Sequence, residues 1–220
     1  MSIKSSYSIY LLICLVSIVL VSGGACAAPV KMKTKASIDS PQQKNDPQGK
    51  IDSDRIELPA STVKFLSPNG NYQFFVTTAD NWASKTGRGK LIKSTVNKSK
   101  VVWKGALPQE YGPRHVLVGL RGEVLMLDEW INVKSKHAIT IVNPDLDRVF
   151  RYSFDEIQQV LQVPASAMVK QASQGSWWIS APPRLDKSGL IAYVNTAGKV
   201  LQINLAKGEI LLLKTSPTEL

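Results

Sequence analysis

The strongest constraint on this chain is the frequency of its turn signals. From Ser61 onward the apolar and alternating runs are short, and Gly, Asn, Asp, Pro or Ser closes each one. Such runs suit strands and leave no room for long helices. Thr62–Leu66, Tyr72–Thr77, Lys90–Ser94 and Lys100–Lys104 read as one group of four strands. His115–Leu120, Glu123–Asp128, Ala138–Val142 and Arg148–Tyr152 form a second, and Trp177–Ser180, Leu190–Asn195, Val200–Leu205 and Ile210–Leu213 a third. Asn69-Gly70, Arg121-Gly122, Asn143-Pro144-Asp145, Lys187-Ser188-Gly189, Ala197-Gly198 and Lys207-Gly208 supply the turns between them. Glycine and asparagine are suited to tight hairpins because they tolerate positive φ.

One interruption has helical spacing. Ser153-Phe154-Asp155-Glu156 has the form of a capping box, and Ile157, Val160 and Leu161 follow on one helical face. The pattern predicts a helix over Phe154–Gln162, stopped by Pro164.

Gly70, Gly122 and Gly189 recur as landmarks of the first hairpin in each group, and the longer interval holds the helix. Ser67-Pro68-Asn69-Gly70-Asn71-Tyr72-Gln73-Phe74-Phe75-Val76 resembles the S-P-D-G hairpin of WD-repeat-like and YVTN-type propellers, with Asn69 in place of Asp. Gly198-Lys199-Val200-Leu201-Gln202-Ile203-Asn204-Leu205 with Lys207-Gly208-Glu209 resembles their closing hairpin. The resemblance implies an all-β fold of three propeller-blade-like, four-stranded antiparallel units with one short inserted helix. It brings no active site with it. Three blades are fewer than the four to eight that close a ring. The alternatives are an open or barrel-like wrap, edges covered by the helix and the preceding segment, or a homodimer of six blades.

Lys4, the apolar run Tyr7–Val21 and the small residues Ser22–Ala28 have the three-part build of a secretory signal. The run is shorter than the roughly 20 residues that span a bilayer. Ala25-Cys26-Ala27 predicts cleavage before Ala28. Gly24-Ala25-Cys26 also resembles the tail of a bacterial lipobox, which would acylate Cys26, although Gly23 stands where that family has Leu. Residues 1–27 are thus the expected signal, 28–60 a polar tether without aromatic residues, and 61–220 the folded domain. The tether would reach about 30 Å as a coil. Cys14 and Cys26 are the only cysteines, so a domain starting at Ser61 folds without disulfides or thiolate metal sites.

The formal charge is +10. Beyond a membrane, such a charge attracts lipid head groups, surface polysaccharides and released nucleic acid. Lys85, Arg88, Lys90, Lys93, Lys98, Lys100 and Lys104 follow one another with no intervening acid. They read either as a polyanion-binding site or as edge lysines that guard a sheet against aggregation.

Asp128, Glu129 and Trp130 form the densest polar and aromatic spot, but neighbouring strand residues face opposite ways. Asp128 and Glu129 therefore do not form a glycosidase pair if the strand continues through them. Asp128 instead suits a strand end that accepts backbone or arginine hydrogen bonds. His115 and His137 match no short metal-ligand spacing, and Gly-x-Ser-x-Gly is absent, so no metal or cofactor is expected. In a strand, Trp177 and Trp178 place one indole in the core and the other where it could stack on a sugar, unless both are packed, one beneath the helix. The candidate ligand-binding residues are Asp128, Glu129, Trp130, His115 and Trp178. The expected function is an exported, periplasmic or extracellular module of the cell envelope, binding or structural. Its partner would be a polyanion, polysaccharide or protein, with membrane contact only through the signal or a lipid anchor. The alternative is an enzyme acting on envelope polysaccharide.

Overall fold

A computed structural model describes residues 58–213. The expected signal, Cys26 and the part of the expected tether before Leu58 lie outside the described residues, as do residues 214–220. The protein is all-β, with three four-stranded antiparallel sheets and two short helices. Sheet 1 contains β1 (Thr62–Leu66), β2 (Tyr72–Thr77), β3 (Arg88–Thr95) and β4 (Lys98–Ala106). Sheet 2 contains β5 (Pro113–Val118), β6 (Val124–Glu129), β7 (Ile139–Asn143) and β8 (Arg148–Tyr152). Helices α1 (Phe154–Leu161) and α2 (Ala165–Lys170) follow. Sheet 3 contains β9 (Arg184–Leu185), β10 (Ile191–Thr196), β11 (Lys199–Asn204) and β12 (Glu209–Leu212). Within each sheet every strand pairs with its neighbour in the chain.

The central strands of sheet 2, β6 and β7, are buried on both faces. Val116, Val118, Val124, Met126 and Val142 join Tyr72, Phe74, Val76 and Leu91 of sheet 1 in one core. Leu125, Leu127, Ile139 and Ile141 face the other way, into a core with Ala192, Val194, Leu201 and Ile203 of sheet 3. This two-sided burial explains why β6 reads Val-Leu-Met-Leu without polar alternation. Leu125, Met126, Leu127, Ile139 and Ile141 are all 0% exposed, and each such burial stabilises by about 1.5–3 kcal/mol.

The first hairpins link the sheets. Ser67 Oγ donates to Asn69 Oδ1 at 2.7 Å and accepts from the Tyr72 N–H at 3.0 Å, which closes the β1–β2 turn. Asn69 Nδ2 then donates to the Leu120 carbonyl in the β5–β6 hairpin at 3.2 Å. Beside it, Gly122 has φ +96°, and a Cβ there would meet Tyr72 Cε1 at 2.6 Å. Trp82, 2% exposed, plugs the sheet 1 core and donates its indole N–H to the Pro59 carbonyl at 2.9 Å. The last residues of the expected tether are therefore held against the domain.

The third group departs from expectation at its start. Trp177–Ser180 is not a strand, and β9 at Arg184–Leu185 takes its place beside β10. The backbone of Trp177 and Trp178 is held by side chains: Asp128 accepts the Trp177 N–H at 2.9 Å, and Thr196 Oγ1 donates to the Trp178 carbonyl at 2.6 Å. Helix α1 carries the capping box, with both Ser153–Glu156 contacts present, and ends at Leu161 because Gln162 adopts a left-handed conformation (φ +53°). Pro164, beyond that left-handed cap, starts α2 as its N-cap, where its missing N–H costs nothing.

Replacing Gly122 by alanine is expected to destabilise the domain by about 1–3 kcal/mol, through the positive φ and the clash with Tyr72. Denaturant unfolding measures it, and an unchanged midpoint would show that the two hairpins are not in this close contact.

Candidate functional site

The β5–β6 pairing sets Pro113 opposite Glu129 and His115 opposite Leu127. This register brings Arg114 and Asp128 to the same end of the hairpin. Asp128 has φ +60°, a left-handed conformation that aspartate tolerates better than most residues and that breaks the strand alternation. Its Oδ1 accepts from the Glu129 N–H at 3.0 Å, its Oδ2 accepts from Trp177 N–H, and Arg114 Nε lies 3.9 Å from Oδ2.

Arg114 spends the rest of its guanidinium on loops. Nη1 donates to the Gly175 carbonyl at 2.6 Å, while Nη2 donates to the Trp130 carbonyl and to Asn132 Oδ1, both at 2.7 Å. Its Cζ lies 5.7 Å from the Trp130 ring centroid. His115 Nε2 is 2.8 Å from Ser176 Oγ. Three consecutive residues, Gly175, Ser176 and Trp177, are therefore each fastened to a different side chain of the hairpin. Glu129 secures a second loop, since Ser135 Oγ donates to its Oε1 at 2.6 Å and itself accepts the His137 N–H at 2.8 Å.

Burial governs the titration of this cluster. It raises Asp128 above its ordinary value, against the lowering effects of the Trp177 N–H and Arg114. It also raises Glu129, with Ser135 opposing and the charges of Glu110 and Asp128 adding. It lowers His115, as does the neighbouring Arg114 charge, so the imidazole is neutral at pH 7 and available as an acceptor.

Four of the five expected ligand-binding residues, Asp128, Glu129, Trp130 and His115, sit at this hairpin end. Trp130 is half-buried and lines a cavity of about 210 Å³ with Phe65, Trp82, Tyr111 and Arg114. Trp178 does not join them. It is 0% exposed in the core with Ile157, Leu161 and Met168, so it offers no surface for stacking. Trp177 packs on Phe154 at the start of α1, with ring centroids 4.8 Å apart. Sequence reasoning missed Arg114, the residue that ties the cluster together. Counting outward from the Arg121-Gly122 hairpin would have placed it opposite Asp128. Among the described residues no three His, Asp or Glu side chains gather as a metal site.

The basic run is divided by strand alternation. Arg88 and Lys90 lie on the outer face of sheet 1. Lys93 and Lys100 are paired on the opposite side, where Lys93 Nζ is 5.5 Å from the Tyr72 ring centroid. Lys98 begins β4 at the hairpin end, and Lys85 is in a loop, 3.6 Å from Glu110. They do not form one patch.

Compared with known proteins, the sequence matches no family model and no curated protein. The functional reading therefore rests on the chain's own geometry.

Two outcomes are expected. Asp128→Ala leaves Arg114 buried without its counter-charge and frees the Trp177 N–H. It should cost about 3 kcal/mol and open a protease-sensitive site near Gly175; an intact loop under limited proteolysis would contradict the latch. Burial also depresses His137, together with Arg151 and Lys136. The stabilising preference for neutral His115 and His137 is therefore fully present above about pH 6.5 and is lost as pH falls toward their lower folded values. Asp128 and Glu129, whose raised values favour the fold as pH falls, act in the opposite sense. Replacing both histidines by Gln should therefore raise the melting temperature at about pH 5.5 relative to about pH 7, compared with the same difference in the wild type.

Proposed function

We propose that the chain is an exported module that binds a component of the cell envelope, with its three sheets arranged like consecutive propeller blades. One observation carries the binding reading: the two carboxylates and the guanidinium of the hairpin cluster are engaged in holding loops. Asp128 accepts two backbone N–H groups, Arg114 donates to two carbonyls and an amide, and Glu129 accepts from Ser135. The open surface is instead the outer face of a sheet. The blade-like arrangement is supported by the first strands. β1, β5 and β9 together line a cleft of about 470 Å³ through Phe65, Leu66, Val116, Val118 and Leu185. The inner strands of a propeller surround its axis in this way. Export is supported by Lys4, Tyr7–Val21 and the small residues before Ala28.

A second reading, an enzyme acting on envelope polysaccharide, is favoured by one contact. A neutral His115 beside the Ser176 hydroxyl could accept its proton as that oxygen attacks the carbonyl of an ester-linked acyl group and return it to the departing sugar oxygen as the ester C–O bond breaks, leaving an acyl-serine for water to hydrolyse.

The secreted chain is expected to begin at Ala28 or at an acylated Cys26, to pellet with purified envelopes and to release nothing from them. N-terminal sequencing, co-sedimentation and product analysis measure this. An intact Met1 start would overturn export. Labelling of Ser176 by a fluorophosphonate, lost in His115→Gln, would replace binding with catalysis.

A further inference from the structure

Resting on the envelope-binding reading, we infer that the outer face of sheet 1 is a docking site for an acidic polysaccharide chain. The strand registers place Lys64 opposite Phe75, Phe75 opposite Lys90 and Lys90 opposite Lys104. One row across the whole sheet therefore reads Lys64, Phe75, Lys90, Lys104, and Arg88 stands on the same face two residues before Lys90. All four cations are exposed. Among the described residues none of them is in an ion pair; Asp147 borders the groove beside Lys90 and Lys104 without pairing to either.

Two features separate this face from a guarded edge. Arg88 and Lys90 lie on β3, which is interior to the sheet, where no unpaired backbone needs protecting. Lys90 and Lys104 are also direct cross-strand partners, and like charges so placed repel, a cost that a bound anion would relieve. A second copy of the sheet is a poor occupant, because burying four unpaired cations against it carries a heavy desolvation penalty.

The adjoining row gives the ligand class. Leu66, Gln73, Ile92 and Val101 run parallel to the cations on the same face, with Leu66 and Val101 exposed. In the cationic row, Lys90 Nζ is 5.4 Å from the Phe75 ring centroid. A cationic row beside an apolar row with one amide suits a polymer that has anionic groups along one edge, C–H faces and hydroxyls. That describes an acidic glycan. Neighbouring strands are about 4.8 Å apart, so the backbones carrying Lys64 and Lys90 are about 10 Å apart and those carrying Lys90 and Lys104 about 5 Å. The face thus meets several charges of one extended chain.

The test compares two triple variants that remove equal charge: Lys64→Gln, Lys90→Gln, Lys104→Gln, and Lys93→Gln, Lys98→Gln, Lys100→Gln. Binding of the secreted chain to heparin and to polygalacturonate is measured at about 50 mM and about 300 mM NaCl. The first triple should weaken low-salt binding about tenfold and the second less than about twofold, with wild-type binding weakened steeply by salt. Equal losses would mean net charge alone is sensed, and unchanged binding with aggregation would mean the lysines guard the fold; either overturns the site. Tighter binding of single-stranded DNA or of phosphatidylglycerol vesicles overturns the ligand class. Lys90→Gln alone gives the same readout should the first triple fail to fold. If wild type and both triples pellet equally with envelopes, the face is wrong and the envelope reading stands. If heparin binding depends on the first triple while no form pellets, the face stands and the envelope reading falls.

Discussion

The structure depends on the burial of sheet 2 from both sides. Sheets 1 and 3 each have one apolar face, and each face finds its partner on an opposite side of β5, β6 and β7. The two cores are joined through the backbone of these strands, so a residue pointing one way along β6 stabilises sheet 1 and its neighbour stabilises sheet 3. Helices α1 and α2 complete the second core with Phe154, Ile157, Leu161 and Met168.

The polar cluster at the end of β5 and β6 follows from that arrangement. A strand pair buried on both faces can admit charge only where it ends, and Asp128 marks that end by leaving the pleated conformation. Arg114 and Asp128 offset each other's burial, and their remaining hydrogen-bonding capacity fastens the segment that returns from the helices to sheet 3. Asp128 and His115, which looked suited to chemistry in the sequence, thus help to hold the connection between the second and third sheets.

Most of the architecture was legible because strand formation here is local. The alternation of β1, β2 and β8 and the glycine-marked turns specify elements that pair with their neighbours in the chain, and those three strands have the expected bounds. The failures arose where a distant group decided the local structure. Trp177–Ser180 has the composition of a strand, yet Asp128, 49 positions away, captures its backbone. Pro164 is a stop signal by itself, and only the packing of Met168 into the core shows that a second helix begins there. The cationic face was half legible. A run of lysines is visible in the sequence, but Lys64 is outside that run and joins Lys90 only through the register of β1, β2 and β3.

The chain-order pairing of the strands also bears on how the molecule is made. Every sheet is a meander of consecutive segments, so each can form from what has already emerged when the chain leaves a ribosome N-terminus first. Sheet 1 can pair before sheet 2 exists, but its apolar inner face stays wet until β5 and β6 arrive. The exposure of that face ends when Val116, Val118, Val124 and Met126 of the central meander close over it.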